Sequence, residues 1–171
     1  LERIQGVGTF VAAPRKKPKL IEIREIDEMI RIRGGRYKCD IHFLQAELIE
    51  QSAAASMAFN PGDKVFRSYF VHRENGLPVM LEDRYVNPAL LPDFLERDFS
   101  RLTVDSLISS KFSLLSHQHT IQAAISNAEI NHFLELEAPT ACLVINRKSW
   151  AGDDIVSAVK MILPGNRFQL N

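Results

Sequence analysis

The sequence predicts an α+β domain in which helices pack around a central antiparallel β-sheet. Three observations carry that expectation. Strand-like patterns recur at residues 37–43, 65–87, 117–126, 141–150 and 155–163. Pairs of them are joined by short turns, at Asn75-Gly76 and around Gly152-Asp153-Asp154, and strands linked that tightly pair antiparallel. Helical patterns are inserted between the strand pairs, the signature of α+β.

Taken in order, residues 1–13 place Gly6 and Gly8 around Val7, ahead of the β-prone run Thr9-Phe10-Val11. Two glycines beside a strand suit a tight turn; a GxG with no helix start behind it says little about phosphate. Residues 14–19, PRKKPK, hold two prolines and four positive charges, which makes residues 14–20 an extended, solvated linker. Folded structure is expected from residue 21. Ile26, Met29 and Ile30 share a helical face, and Gly34-Gly35 supplies a stop. Tyr37, Cys39, Ile41 and Phe43 then alternate with polar residues as a half-buried strand. An Ala-rich helix at 52–59 ends at Asn60-Pro61-Gly62. Short helical patterns follow the hairpin at 92–99 and 103–109. Period 2 returns with His117, His119, Ile121, Ala123 and Ile125 on one side. Ser126 and Glu129 have the spacing of a capping box opening a helix through Leu134. The last two long strands carry Trp150, read as core, and a short strand at 168–170 closes the chain.

The 171 residues are 46% hydrophobic, enough to bury one core. Lys plus Arg and Asp plus Glu balance at 21 each. That balance argues against strong nucleic-acid binding by this segment, because phosphate neutralisation needs uncompensated cations. The two cysteines, Cys39 and Cys142, sit in apolar runs and read as reduced core thiols of a cytoplasmic protein. No apolar run approaches a membrane span, so no membrane association is expected. The chain opens at Leu1 in mid-pattern, as a piece of a longer protein would.

Catalytic and metal signatures are sparse. His117 and His119, or Cys39 and His42, could begin a metal site, but neither pair comes with the further ligands a closed site requires. There is no GxSxG elbow and no Cys-His signature for acyl transfer. Neither a catalytic residue, a metal nor a cofactor is expected.

The hairpin at 65–87 mixes polar groups among apolar ones, and its turn decides their meaning. With a two-residue Asn75-Gly76 turn, Phe70 and His72 share a face with Leu81, Asp83 and Tyr85. With a three-residue loop and a left-handed Gly76, they share it with Met80, Glu82 and Arg84, since one step of register swaps the whole set. The second option gathers an imidazole, a carboxylate and a guanidinium beside an aromatic ring. Against it stands the plainer reading of Glu82 and Arg84 as an exposed ion pair.

Two segments carry a family resemblance. Glu2–Val11, ERIQGVGTFV, resembles the wing closing a GntR-type winged helix-turn-helix domain. Val71–Leu90, VHRENGLPVMLEDRYVNPAL, resembles the central signature of the UTRA effector-binding domain. Within it, LEDRYVNP, with KSWAGDDIVSAVKMILPGNRF late in the chain, is similar to the histidine-utilisation repressor subgroup. The resemblance divides the chain into a wing remnant (1–13), a linker (14–20) and a UTRA ligand-binding domain (21–171).

That resemblance implies a chorismate-lyase-like fold that binds a ligand without catalysis, in the cytoplasm. It implies a homodimeric repressor of histidine catabolism, held on operator DNA by an N-terminal domain absent here and released by urocanate. Glu82 would accept a hydrogen bond from the urocanate ring and Arg84 would hold its carboxylate. Thr103 would offer its hydroxyl and a helix N-terminus. Phe70 and Met80 would wall the slot, with Ser157 and Met161 opposite. His72 stands where sugar-phosphate-sensing relatives carry Arg, which argues against a sugar phosphate. Tyr85 and Asn87 would support the loop after the strand. The alternatives are the same domain tuned to another small anionic metabolite, and a chorismate-lyase-like enzyme.

Overall fold

The computed structural model describes residues 24–168, together with the backbone of two short strands, β1 (Glu2–Ile4) and β2 (Gly8–Phe10), which pair antiparallel. The expected linker lies outside the described residues. The domain itself is built on six strands: β3 (Tyr37–Leu48), β4 (Lys64–Glu74), β5 (Leu77–Val86), β6 (Ser116–Ile125), β7 (Ala141–Ala151) and β8 (Asp154–Pro164). They form one antiparallel sheet in the order β3-β4-β5-β8-β7-β6. The α+β expectation is met.

Among the described residues, four α-helices cover the sheet. On one face, α1 (Ile26–Ile32) sets Ile26 and Ile30 against Met80, Ile145, Val159 and Met161. On the same face, α3 (Val104–Lys111) sets Leu107 and Ile108 against Phe70 and Val86. The loop between β5 and α3 adds Phe94 and Phe99, whose rings pack 4.9 Å apart, with Phe70 5.5 Å from Phe99. Each such buried side chain contributes about 1.5–3 kcal/mol relative to exposure. On the opposite face, α2 (Gln51–Met57) covers Val65, Tyr85 and Ala158, and α4 (Ala128–Leu134) covers Tyr69, Val71 and Leu81.

Local chemistry sets the helix ends, not always as expected. Gly34, at φ 77°, stops α1, but α2 is stopped by Ala58 in the left-handed region, ahead of Asn60-Pro61-Gly62. The α4 cap is Asn127, whose Oδ1 accepts from the Ile130 N–H at 2.9 Å, not a Ser126–Glu129 box. Ser126 is occupied elsewhere: its hydroxyl donates to Asn131 and accepts from the Thr140 N–H. Glu129 instead accepts from the Tyr69 hydroxyl. Residues 92–99 contain only one turn of 3₁₀ helix, Phe94–Glu96. Trp150 is half-buried rather than core. Of the expected strand at 168–170, only Phe168 is described; it is buried and not in a strand.

Two bulges redirect side chains. In β3 the register shifts between Ile41 and Phe43, so Phe43 leaves the Cys39 face and stacks on Tyr69 at 5.1 Å. In the central hairpin, Glu74 pairs with Leu77 across a two-residue turn, Asn75 at φ 52° and Gly76 at φ 89°, the geometry of a type I′ turn. Arg73 pairs with Pro78, yet His72 pairs with Met80, so Val79 is an extra residue on β5. That bulge restores what the turn would have undone. Phe70 faces Glu82, Ser68 faces Arg84, and the polar set shares one face with His72.

Candidate functional site

This face carries a buried polar cluster at the centre of the sheet. Arg84, only 1% exposed, donates from Nε to Glu82 Oε1 at 2.7 Å and from Nη1 to Ser157 Oγ at 3.1 Å. Its Nη2 lies 2.9 Å from Asp105 Oδ1, an ion pair without hydrogen-bond alignment. Asp105 enters from the first turn of α3 and is also paired with Arg147 on β7. His72 shares a 2.9 Å hydrogen bond with the Tyr37 hydroxyl through Nδ1, and its Nε2 lies 3.4 Å from Glu82 Oε2. The chain is therefore Tyr37, His72, Glu82, Arg84, Asp105, Arg147, drawn from five elements.

Register explains why these groups meet. Glu82 stands opposite Met161, Arg84 opposite Val159, and Val159 opposite Arg147 across three neighbouring strands. Burial opposes charge on Glu82, but Arg84 and His72 outweigh it and hold the carboxyl well below the usual carboxylate range. Burial likewise opposes ionisation of Asp105, and Arg84 and Arg147 pull it down. Both folded-state values lie below the ordinary one, so the unfolded chain takes up protons first as pH falls. Their contribution to stability is complete above about pH 5 and is lost progressively as pH drops toward the lowered values. Urea denaturation between pH 7 and pH 3 is expected to show that decline; a flat profile would mean the two carboxylates are not held ionised by these partners.

All eight residues singled out in the sequence are buried, and they divide into four groups. His72, Glu82, Arg84 and Ser157 belong to the polar cluster. Met80 and Met161 line a cavity of about 20 Å³ beside it, with Ile26, Met29, Asp105, Ile145, Arg147 and others. Phe70 packs in the aromatic core. Thr103 caps α3, accepting from the Ser106 N–H at 3.1 Å, and its hydroxyl donates to Glu25 at 2.9 Å. Tyr85 points to the opposite face beneath the Arg67 guanidinium. Asn87 braces the following loop through Ile155 and Ala89.

Arg147 and Asp105 were not legible as site residues, yet they separate the small cavity from a cleft of about 170 Å³. That cleft is lined by Glu25, Asp105, Ile108, His117, Arg147 and Ser149, among others. Arg147 Nε has no hydrogen-bond partner among the described residues. His117 shares a 2.9 Å hydrogen bond with Ser149. Burial first, and then Arg147, push His117 and His119 below the ordinary histidine value. Cys39 and Cys142 are buried and free, the Cys39 thiol pushed up to about 12 by burial. No group of three or more metal-ligating side chains occurs among the described residues, and no helix there is long and apolar enough to cross a membrane.

The chain has relatives among known proteins. Residues 33–169 match the UTRA domain. The chain is similar to the histidine utilization repressor of Pseudomonas putida, 39% identical over 170 residues, 99% of this chain and 68% of that protein. It is 35% identical to the histidine utilization repressor of Klebsiella aerogenes, again over 99% of this chain and 70% of the relative. A solved structure of the C-terminal domain of histidine utilization repressor from Pseudomonas syringae superposes with a TM-score of 0.74 at 34% identity, covering 80% of this chain and 96% of the other. The effector domain of PhnF from Mycobacterium smegmatis superposes with a TM-score of 0.75 at 18% identity, over 86% of this chain and 92% of that one, a likeness of fold alone.

Proposed function

Because the chain belongs to the UTRA-domain family, in the branch of GntR-type histidine utilization repressors, we propose that its buried polar face binds urocanate and that binding loosens a cytoplasmic homodimeric repressor from operator DNA. The chain is the effector domain of a transcriptional repressor and not an enzyme. Operator contact belongs to an N-terminal winged-helix domain, of which residues 1–13 are the closing wing, joined through the linker at 14–20.

One observation carries the ligand reading: a carboxylate of the protein itself, Asp105, sits between two buried guanidiniums, Arg84 and Arg147. A ligand carboxylate has the same charge and shape, and it takes the place of Asp105 against Arg147. The flat ring then lies along Met80, Ile145 and Met161 with its N–H turned to Glu82. Arg84, already engaged by Glu82 and Ser157, holds Glu82 ionised as the acceptor. Thr103 acts through the helix it caps, and Phe70 backs His72 from the core.

Entry of such a ligand requires movement. A cavity of about 20 Å³ holds no more than a water, so α1 or α3 must shift to admit a ring. α1 lines that cavity through Ile26 and Met29 and follows the segment leading to the DNA-binding head. Ligand that binds the shifted arrangement more tightly moves the population toward it.

A thermal-shift panel tests the reading with urocanate, histidine, imidazole propionate and glucosamine 6-phosphate. Urocanate at a hundredfold excess over its Kd is expected to raise Tm by about 5–10 °C, and Arg147→Ala to abolish the rise. A shift with glucosamine 6-phosphate and none with urocanate would overturn the effector assignment. Urocanate that binds the whole repressor yet leaves operator affinity unchanged would overturn induction.

A further inference from the structure

The face of the sheet away from the polar cluster carries another cleft, of about 200 Å³, between α4 and strands β4, β5 and β8. Four charged side chains line it: Arg67, Asp83, Glu129 and Lys160. Two of them neutralise each other. Arg67 packs on the rings of Phe43 and Tyr85, at 5.2 and 4.9 Å, and donates to both oxygens of Asp83, at 2.8 and 3.0 Å. That closed pair leaves Lys160 out. The β5–β8 register sets Lys160 directly opposite Asp83, where a cross-strand ion pair would otherwise form. Yet among the described residues the half-buried Lys160 has neither a hydrogen bond nor an ion pair. Glu129, in the first turn of α4, accepts the Tyr69 hydroxyl on Oε1 at 3.0 Å. Burial pushes that hydroxyl above the usual phenol range, so it remains a donor. Among the described residues Glu129 Oε2 is free, and so is the amide nitrogen of Asn127, whose Oδ1 caps α4. One ammonium and one carboxylate thus line the same cleft without reaching each other.

We propose that this cleft binds a free α-amino acid with an apolar side chain. The zwitterion carries both charges on one carbon and so bridges the two groups that the fold holds apart. Its carboxylate meets Lys160 and the Asn127 amide, and its ammonium meets the free oxygen of Glu129. Leu81, Ile130 and Ile162 form the apolar floor on which the side chain lies. Both charged ends are required. A simple anion would satisfy Lys160 but add a further negative charge beside Asp83 and Glu129. An amine alone would satisfy Glu129 and set a second cation against an unpaired Lys160. The volume suits an amino acid and is too small for a nucleotide or a disaccharide.

Side chains alternate along a strand, so Asp83 faces this cleft while Glu82 and Arg84 face the buried polar cluster. On β8, Lys160 alternates in the same way with Val159 and Met161. The two sites therefore stand back to back on β5 and β8, and one chain has room for an occupant in each.

Calorimetric titration of this 171-residue chain with L-leucine and L-phenylalanine provides the test, with two leucine analogues as controls. L-Leucine is expected to bind at one site per chain. Leucinamide, which lacks the carboxylate, and N-acetyl-leucine, which lacks the ammonium, are each expected to bind about tenfold more weakly or worse. Lys160→Gln and Glu129→Gln are each expected to weaken leucine by a similar factor at an unchanged urea midpoint, since Glu129→Gln retains an acceptor for Tyr69. No binding of either amino acid would overturn the proposal. So would an analogue that binds as tightly as leucine, or leucine binding undiminished in the two folded variants.

Discussion

Replacing Arg84 by methionine is expected to destabilise the domain by about 3–5 kcal/mol, read as a fall in the urea midpoint at unchanged slope. The side chain fits the volume, so packing is not what is lost. Arg84 is fully buried, and it donates to Glu82 and Ser157 while neutralising one side of Asp105. Without it, Glu82 is left charged in the interior with His72, among the described residues, as the remaining partner within ion-pair distance. The cost is that of the orphaned carboxylate, not the net worth of the pair, and Arg84→Met/Glu82→Leu is expected to recover most of it. A loss under about 1 kcal/mol for the single change would show that the cluster is not held together through Arg84.

Asp105→Asn is expected to act in opposite directions on the free and liganded protein. Free, the domain loses about 3 kcal/mol, because two guanidiniums keep their burial and lose their shared carboxylate. With urocanate, the internal competitor is gone, and affinity is expected to rise about tenfold, or ~1.4 kcal/mol. Urea denaturation of the free chains measures the first effect, and calorimetric titration of native and variant chains with urocanate measures the second. Equal or weaker binding by the variant would show that Asp105 does not stand where the ligand carboxylate goes.

Most elements were legible because each is written in a local pattern. The α1 face of Ile26 and Ile30, the alternation of β6 and the turns at Asn75-Gly76 and Gly152 all appear where the periodicity puts them. The central hairpin is more instructive. The face shared by Phe70, His72, Glu82 and Arg84 is the one expected with a three-residue loop, but a two-residue turn followed by a bulge at Val79 produces it. The run Leu77-Pro78-Val79-Met80-Leu81 is apolar at every position, so it has no alternation to display a register, and a bulge inside it leaves no trace. The Ser126–Glu129 spacing misled for a related reason. Several neighbouring residues can cap, and the pull of Thr140 on Ser126 is tertiary.

By itself, then, the sequence determined the class of fold, the strands and the polar residues of the central hairpin, because propensity and periodicity act over a few residues. Only the tertiary structure decided that Asp105 of α3 and Arg147 of β7 complete the cluster begun by Glu82 and Arg84. A pattern reports which face of its own element is apolar. It does not report which faces oppose one another, and burial among groups far apart in the chain is what makes these charges neighbours.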